Sequence, residues 1–267
     1  MTAPRSGRFA AGDWVLRAVA AFVLFFLFLP IFVIVAFSFN RPVGRFNLAW
    51  HEFSLDAWLD PLKYPQLTEA MVNSLVIAAI STVVSVILGS FIAIALVRQR
   101  FVGRDTLDTL LVLPLTAAEV VMGASLLTLF LDLGWNRGFS TIILAHIGFQ
   151  LSFVALTVRA RVRGLDWTLE DASMDLGAGP RRTFWKVTLP MIMPGIIAAA
   201  LLSFALSLDD FIITYFNAGS TSTYPLYVNA GTKNGLPPQV NVLATAILVI
   251  SLAVLAIGAL RHRREST

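Results

Sequence analysis

The sequence predicts an all-α integral membrane protein, a bundle of six spanning helices, and three observations carry that prediction. Hydrophobic residues make up 57% of the chain and charged residues only 13%, against about 25% charged in an ordinary soluble domain. The apolar residues are gathered into six blocks, each close to the ~20 residues a helix needs to cross about 30 Å of hydrocarbon. None of the blocks shows strand-length alternation, and a segment in lipid must satisfy its own backbone groups, so each block is expected to be a helix.

The first block, Trp14–Phe39, follows a basic start and contains the small-x-small triplet Ala36-Phe37-Ser38. Its apolar run is much longer than the core of a cleaved signal, so it is expected to remain as an uncleaved first helix. The second, Ala70–Val97, carries Ser74, Ala78, Ser81, Ser85 and Gly89 on one face, a small-residue stripe suited to close packing against another helix. The third, Thr106–Leu131, holds Pro114, Thr116, Glu119 and Gly123, with Pro114 loosening the helix. The fourth, Ser140–Val158, places His146 and Gln150 one turn apart, where they are expected to hydrogen-bond to neighbouring helices. The fifth is Leu189–Phe216 and the sixth Val240–Leu260; the whole chain, 1–267, reads as a single domain.

Orientation follows from the basic residues, which stay on the cytoplasmic side. Arg5, Arg8, Arg17, Arg98, Arg100, Arg104, Arg159, Arg161, Arg163, Arg181, Arg182, Lys186, Arg261, Arg263 and Arg264 fall on one side, fifteen of the twenty. Arg41, Arg45, Lys63, Arg137 and Lys233 fall on the other. Both termini are therefore expected in the cytoplasm, with the protein in the cell membrane and lipid around it. Charges shared out among loops in this way, rather than gathered on one patch, argue against nucleic acid as a partner. With no cysteine, and with His51, His146 and His262 scattered, no metal site is expected.

The fourth connection, about 159–190, is the cytoplasmic loop large enough to have structure of its own. Leu165, Leu169, Ala172 and Leu176 fall at i, i+4, i+7 and i+11, with Asp166, Glu170, Asp171 and Asp175 mostly away from them, the pattern of an amphipathic helix. Gly177 and Gly179 end it and Pro180 suits the first turn of another, so two short helices joined by a tight turn are expected.

Asp171-Ala172-Ser173, then Gly177 after three residues, then Val187-Thr188-Leu189-Pro190 after nine more, resembles the "EAA" loop of the permeases of ABC importers. The family pattern has Glu, Ala and Ile where this chain has Asp171, Ser173 and Val187, so charge, size and apolar character are kept. The resemblance covers nearly the whole chain. Asn73-Ser74-Leu75 and Ser207-Leu208-Asp209-Asp210-Phe211 look like the polyamine branch, in particular the second membrane subunit of spermidine/putrescine importers. It implies a type I importer permease fold in which the loop docks on a cytoplasmic ATPase through Glu170, Asp171, Ala172, Ser173 and Gly177, and passes motion on through Pro180, Leu189 and Pro190. It also implies the partners: a second homologous permease subunit, two ATP-binding subunits that hold the ATP and Mg, and an extracellular or periplasmic substrate-binding protein.

Carboxylates inside spans are costly and need water or a partner. Counting at about 1.5 Å per residue from Pro190 puts Asp209 and Asp210 roughly 30 Å along the fifth span. Two readings fit them. In one, Ser203, Ser207, Asp210 and Thr214 form a polar stripe along a substrate path, with Glu119 and Tyr215 contributing and the three acids attracting a cation. In the other, Asp209 and Asp210 pair with Arg137 or Lys233 at the outer interface, Glu119 bonds to a neighbouring helix, and Tyr215 is an interfacial anchor.

No Lys follows a Gly as a phosphate-binding loop requires, and no catalytic constellation is present, so the chain is expected to be no enzyme and to bind no cofactor itself. The outer connection, Asn40–Glu69, is too short for a receptor domain. The alternatives are an importer permease for iron, thiamine, sulfate or sugar, an ion-coupled secondary transporter, for which internal repeats would be expected, and a non-transporting membrane scaffold.

Overall fold

The computed structural model of the chain describes residues 10–44 and 46–265. Arg5, Arg8 and Arg45 lie outside the described residues, as do the side chains of Arg261, His262, Arg263 and Arg264. In chain order the helices are α1 (Ala10–Phe37), α2 (Asp56–Leu59), α3 (Pro65–Arg98), α4 (Arg104–Thr116), α5 (Glu119–Asp132), α6 (Phe139–Arg163), α7 (Thr168–Asp175) and α8 (Pro180–Thr183). A π-helical turn, Phe184–Thr188, joins α8 to α9 (Leu189–Asp209), followed by α10 (Ile212–Asn217), α11 (Tyr224–Asn234) and α12 (Pro238–Glu265).

The described residues form two compact units, one built from those up to Pro65 and from Gly231 onward, the other from Gln66–Ala230. In the first, α1 packs along α12, and the segment after α1 folds on itself around Asn40. The Asn40 side-chain amide donates to Asn47 Oδ1 at 2.6 Å and to the Ala49 carbonyl at 2.8 Å, and its oxygen accepts from the His51 N–H at 2.8 Å. Phe39 stacks on both Phe53 and Trp58.

In the second unit α3, α6 and α9 meet through Ala93, Val154, Val158, Val162, Ile192 and Ala199, all fully or almost fully buried. Lipid is as apolar as these side chains, so close packing rather than transfer from water holds such helices together. The small stripe of α3 does this: Ser74, Ala78, Ser81 and Ser85 are buried, and a Cβ on Gly89 would lie 2.7 Å from Val154 Cγ1. Gly195 of α9 is equally tight, its missing Cβ falling 2.6 Å from Arg161 Cβ. α4 closes on α3 and α6 through Leu96, Leu111 and Ala155.

The six apolar blocks are all helical, but they are not six straight crossings. Among the described residues four helices are long and apolar enough to span by themselves: Trp14–Phe37, Pro65–Arg98, Phe139–Arg163 and Pro180–Asp209. The third block is a bent pair, α4 and α5 meeting at 112°, and the apolar part of α12, Pro238–Ala253, is shorter. The bend sits at Ala117 and Ala118, which take extended backbone angles. The fifth block stops at Asp209, breaks at Asp210, and resumes as α10. At its other end it begins nine residues earlier than expected, because α8 and the π turn run directly into α9. The Leu189 N–H reaches back five residues to the Phe184 carbonyl, and Pro190 has no N–H to offer the next carbonyl in line.

Arg159 is a further correction. It lies within α6 rather than in a solvated loop, is buried, and forms a two-pronged ion pair with Asp108 of α4, Nη2 standing 2.9 Å from Oδ2. The sequence carried a signal for this: Arg159 follows Val154, Ala155 and Val158 on a buried face, where a cation requires an acid.

Substituting Gly89 by Ala is expected to lower stability by roughly 1–3 kcal/mol through overpacking. Gly148→Ala, at an exposed helical site with nothing within 4 Å of a Cβ, is expected to be neutral or stabilising by up to about 1 kcal/mol. Thermal unfolding of the detergent-solubilised variants measures both.

Candidate functional site

The loop between α6 and α9 begins at Asp166, whose Oδ1 accepts from the Thr168 N–H at 3.1 Å and from its hydroxyl at 2.8 Å. These bonds favour the ionised form and hold the Asp166 carboxyl below its ordinary value. They also open α7. It closes on Gly177, whose φ of +85° is a left-handed conformation that other residues adopt only with strain. The Gly177 N–H bonds to the Met174 carbonyl and the Ala178 N–H to that of Ser173, satisfying the end of the helix. Pro180 opens α8, and the Ser173 and Thr183 hydroxyls meet at 3.2 Å, so α7 and α8 are tied side to side. The expected pair of short helices is present, but the second is the start of the long α8–π–α9 rod.

The apolar stripe of α7 faces outward. Leu169 is 54% and Leu176 89% exposed, and Ala172 and Asp171 are exposed beside them. The acidic Glu170 is the residue turned inward, 8% exposed, with Ser173 half-buried. Glu170 Oε1 lies 2.8 Å from Arg98 Nη2 at the end of α3. The amphipathic pattern located the helix but not which side the rest of the chain would cover. An inward cation, Arg98, reverses the usual preference by compensating the buried carboxylate, and the apolar stripe is left outward. Leu165 does pack inward, against the α3–α6–α9 core, as does Leu189, while Pro180 and Pro190 are exposed.

The second group lies at the two helix breaks. Asp210 Oδ2 accepts from the Thr214 N–H and hydroxyl, both at 2.7 Å, which satisfies a free N–H in the first turn of α10. The same oxygen lies 3.2 Å from His146 Nε2, while His146 Nδ1 lies 2.7 Å from Ser207 Oγ. Ser207 in turn meets Ser81 of α3, and Gln150 donates to that Ser81 oxygen, each at 3.2 Å. An ionised Asp210 can only accept, so His146 donates to it from Nε2 while Nδ1 shares a hydrogen bond with the Ser207 hydroxyl. His146 and Gln150 are interhelical hydrogen-bonding residues, as expected.

Asp210 is thus enclosed and paired with His146, neither with Arg137 nor with Lys233. Ser203, Ser207 and Thr214 are buried with it, so the stripe that resembled a path lining is turned into the packed helices of this chain. Glu119 and Asp209 are exposed, and Tyr215 is 61% exposed. α5 and α10, which carry Glu119 and Tyr215, press together where the missing Cβ of Gly123 would lie 2.8 Å from Phe216. The structure therefore separates two acids that are neighbours in sequence: Asp210 holds the break, and Asp209 faces out.

Residues 85–264 match the family described as binding-protein-dependent transport system inner membrane component. The chain belongs to this family. It is a permease subunit of the inner membrane. It is 35% identical over 253 residues to the spermidine/putrescine transport system permease protein PotC of Haemophilus influenzae, covering 94% of this chain and 98% of that one. It is 40% identical over 231 residues to the putrescine transport system permease protein PotI of Escherichia coli K12, covering 84% and 82%. Among solved structures it is similar in fold to a bacterial ABC transporter involved in the import of the acidic polysaccharide alginate (TM-score 0.68, 17% identity, 95% of this chain and 96% of that one). It is also similar to the MetNI methionine ABC transporter (TM-score 0.59, 17% identity, 76% and 96%).

In this permease, His146→Leu is expected to cost roughly 3–5 kcal/mol, because it strands a buried carboxylate. Asp210→Asn, which keeps an oxygen to accept from Thr214, is expected to cost only about 1 kcal/mol. Unfolding midpoints of the purified variants test the order.

Proposed function

We propose that this chain, working as one permease domain over 1–267, is half of the membrane pathway of an ATP-driven importer that carries polyamines into the cell. The observation that carries the coupling role is the outward stripe of α7: Leu169, Ala172 and Leu176 exposed beside Asp171, ending at the tight Gly177 turn. In an aqueous loop, an exposed apolar and small-residue face marks a surface another protein covers. On this reading Asp171, Ala172 and Gly177 dock a cytoplasmic ATPase, Glu170 and Ser173 secure the docking helix from behind, and Pro180, Leu189 and Pro190 lie on the rod that carries its displacement into the membrane. Two ATPase copies hold ATP and Mg, a second homologous permease completes the pathway, and a periplasmic or extracellular binding protein delivers the substrate. Both termini are cytoplasmic.

The polyamine assignment rests on the substrates named for the PotC and PotI relatives and is supported by charge. Asp209 and Glu119 are carboxylates left exposed at helix breaks, where they attract a cation. Tyr215 beside them offers an aromatic face. Asp210 serves the pathway indirectly, by holding the break that exposes Asp209. Helix breaks are shared with ion-coupled transporters, but family membership favours the importer.

Co-expression with the candidate ATPase, partner permease and binding protein, followed by uptake of labelled putrescine and spermidine, tests the assignment. Asp171→Arg is expected to abolish ATPase capture and uptake together. Asp209→Asn and Glu119→Gln are expected to keep ATPase capture and to lower polyamine uptake about tenfold, the scale of losing one contact to a charged group. Uptake of another solute by the intact assembly, with none of polyamines, would overturn the substrate and leave the coupling role.

A further inference from the structure

Of the four acids around α7, Asp166, Asp171 and Asp175 are exposed and Glu170 alone is buried. Its partner Arg98 is the last residue of α3, and the Arg98 guanidinium also lies over the Trp167 ring, 4.8 Å from its centroid. Trp167 immediately precedes α7 and packs on the α3–α6–α9 core. One side chain therefore grips the docking helix at two successive points, by charge at Glu170 and by its flat face at Trp167. Arginine suits both, being planar and permanently charged.

We propose that Arg98 is a positioning residue for coupling: it fixes α7 to the end of α3, so that a displacement of α7 moves the second span together with the α8–π–α9 rod. The inference rests on the proposed coupling role of α7. Without Arg98, α7 keeps the Ser173–Thr183 hydrogen bond to the rod and the packing of Leu165 and Trp167 on the core, but loses its ion pair to the end of α3. With it, both helices that meet at Ser81 and Ser207 receive the same displacement, and that contact is preserved. A cleft of about 240 Å³ lined by Val97, Arg98, Trp167, Glu170 and Asp171 lies beside the clamp. Asp171 on the docking side and Glu170 on the clamped side are adjacent residues, so force on one is delivered to the other without an intervening joint. The pair is partly exposed at Arg98, 40%, which makes it a removable grip rather than a core element.

The test uses the complete transporter, reconstituted in liposomes, and reads ATPase capture, labelled putrescine uptake, and ATP hydrolysed per putrescine moved. Arg98→Ala is expected to capture ATPase normally but to raise the ATP consumed per putrescine about tenfold, the scale on which residues remote from both sites alter coupling. Glu170→Gln should move the ratio in the same direction. Arg98→Lys and the exchanged pair Arg98→Glu with Glu170→Arg should recover most of it. An unchanged ratio in Arg98→Ala and Glu170→Gln overturns the proposal, as does loss of ATPase capture in Arg98→Ala, which would make Arg98 part of the docking surface.

Failure of the coupling role itself is visible separately, as normal ATPase capture by Asp171→Arg. The grip is then read on its own by spin labels on cysteines placed at exposed Val102 and Leu176, in a chain with no native cysteine. The distance distribution between them should broaden in Arg98→Ala and narrow again in Arg98→Lys. A distribution indifferent to Arg98 overturns the proposal.

Discussion

A helix that breaks partway along an apolar block frees backbone groups that need new partners, and much of this structure depends on how the protein answers that constraint. The fifth span breaks at Asp210, and the side chain of the same residue takes the freed N–H of Thr214. A carboxylate in that place needs a partner of its own, which α6 supplies as His146. The other ring nitrogen reaches Ser207, and through it Ser81 of α3. One broken turn thus recruits a chain of polar groups from two further spans, α6 and α3. That chain is tolerated because the helices approach closely along small residues, so short side chains can span the gaps.

The same logic separates acids by task. Asp210 and Glu170 are enclosed, each facing a cationic or proton-donating partner, and both fix geometry. Asp209 and Asp171 are their sequence neighbours, both exposed. In each pair an inward acid anchors the element and the outward acid is presented to whatever approaches. On the proposed reading, the approaching group is a substrate cation at Asp209 and an ATPase at Asp171. Rigid support behind an exposed group is what a site needs if force or selectivity is to pass through it.

Membership of the permease family agrees with the family resemblance that the loop motif carries. The loop pattern from Asp171 to Pro190 survives in the structure as a helix, a left-handed glycine turn and a rod entering the membrane. The α8–π–α9 run is continuous from Pro180 into the span, and the turn at Gly177 and Gly179 joins it to α7. A π turn, Phe184–Thr188, just before Pro190 and Pro194 widens the helix locally, a feature frequent at functional sites.

By itself the sequence determined the class of solvent, the helical content, the position of the loop and its punctuation by Gly177 and Pro180. These depend on composition, block length and local backbone preference, all of which are properties of short stretches of chain. It also identified the small face of α3 and the bonding pair His146 and Gln150, because such residue types in lipid have few other uses. Which side of α7 faces outward, which of Asp209 and Asp210 is enclosed, and where the third and fifth spans break were decided by tertiary structure. Each turns on a partner far away in sequence: Arg98 for Glu170, His146 for Asp210, Asp108 for Arg159, and α10 against Gly123 of α5. Periodicity along one helix fixes a face only relative to that helix, and a buried charge takes its direction from the opposite charge that the fold brings to it.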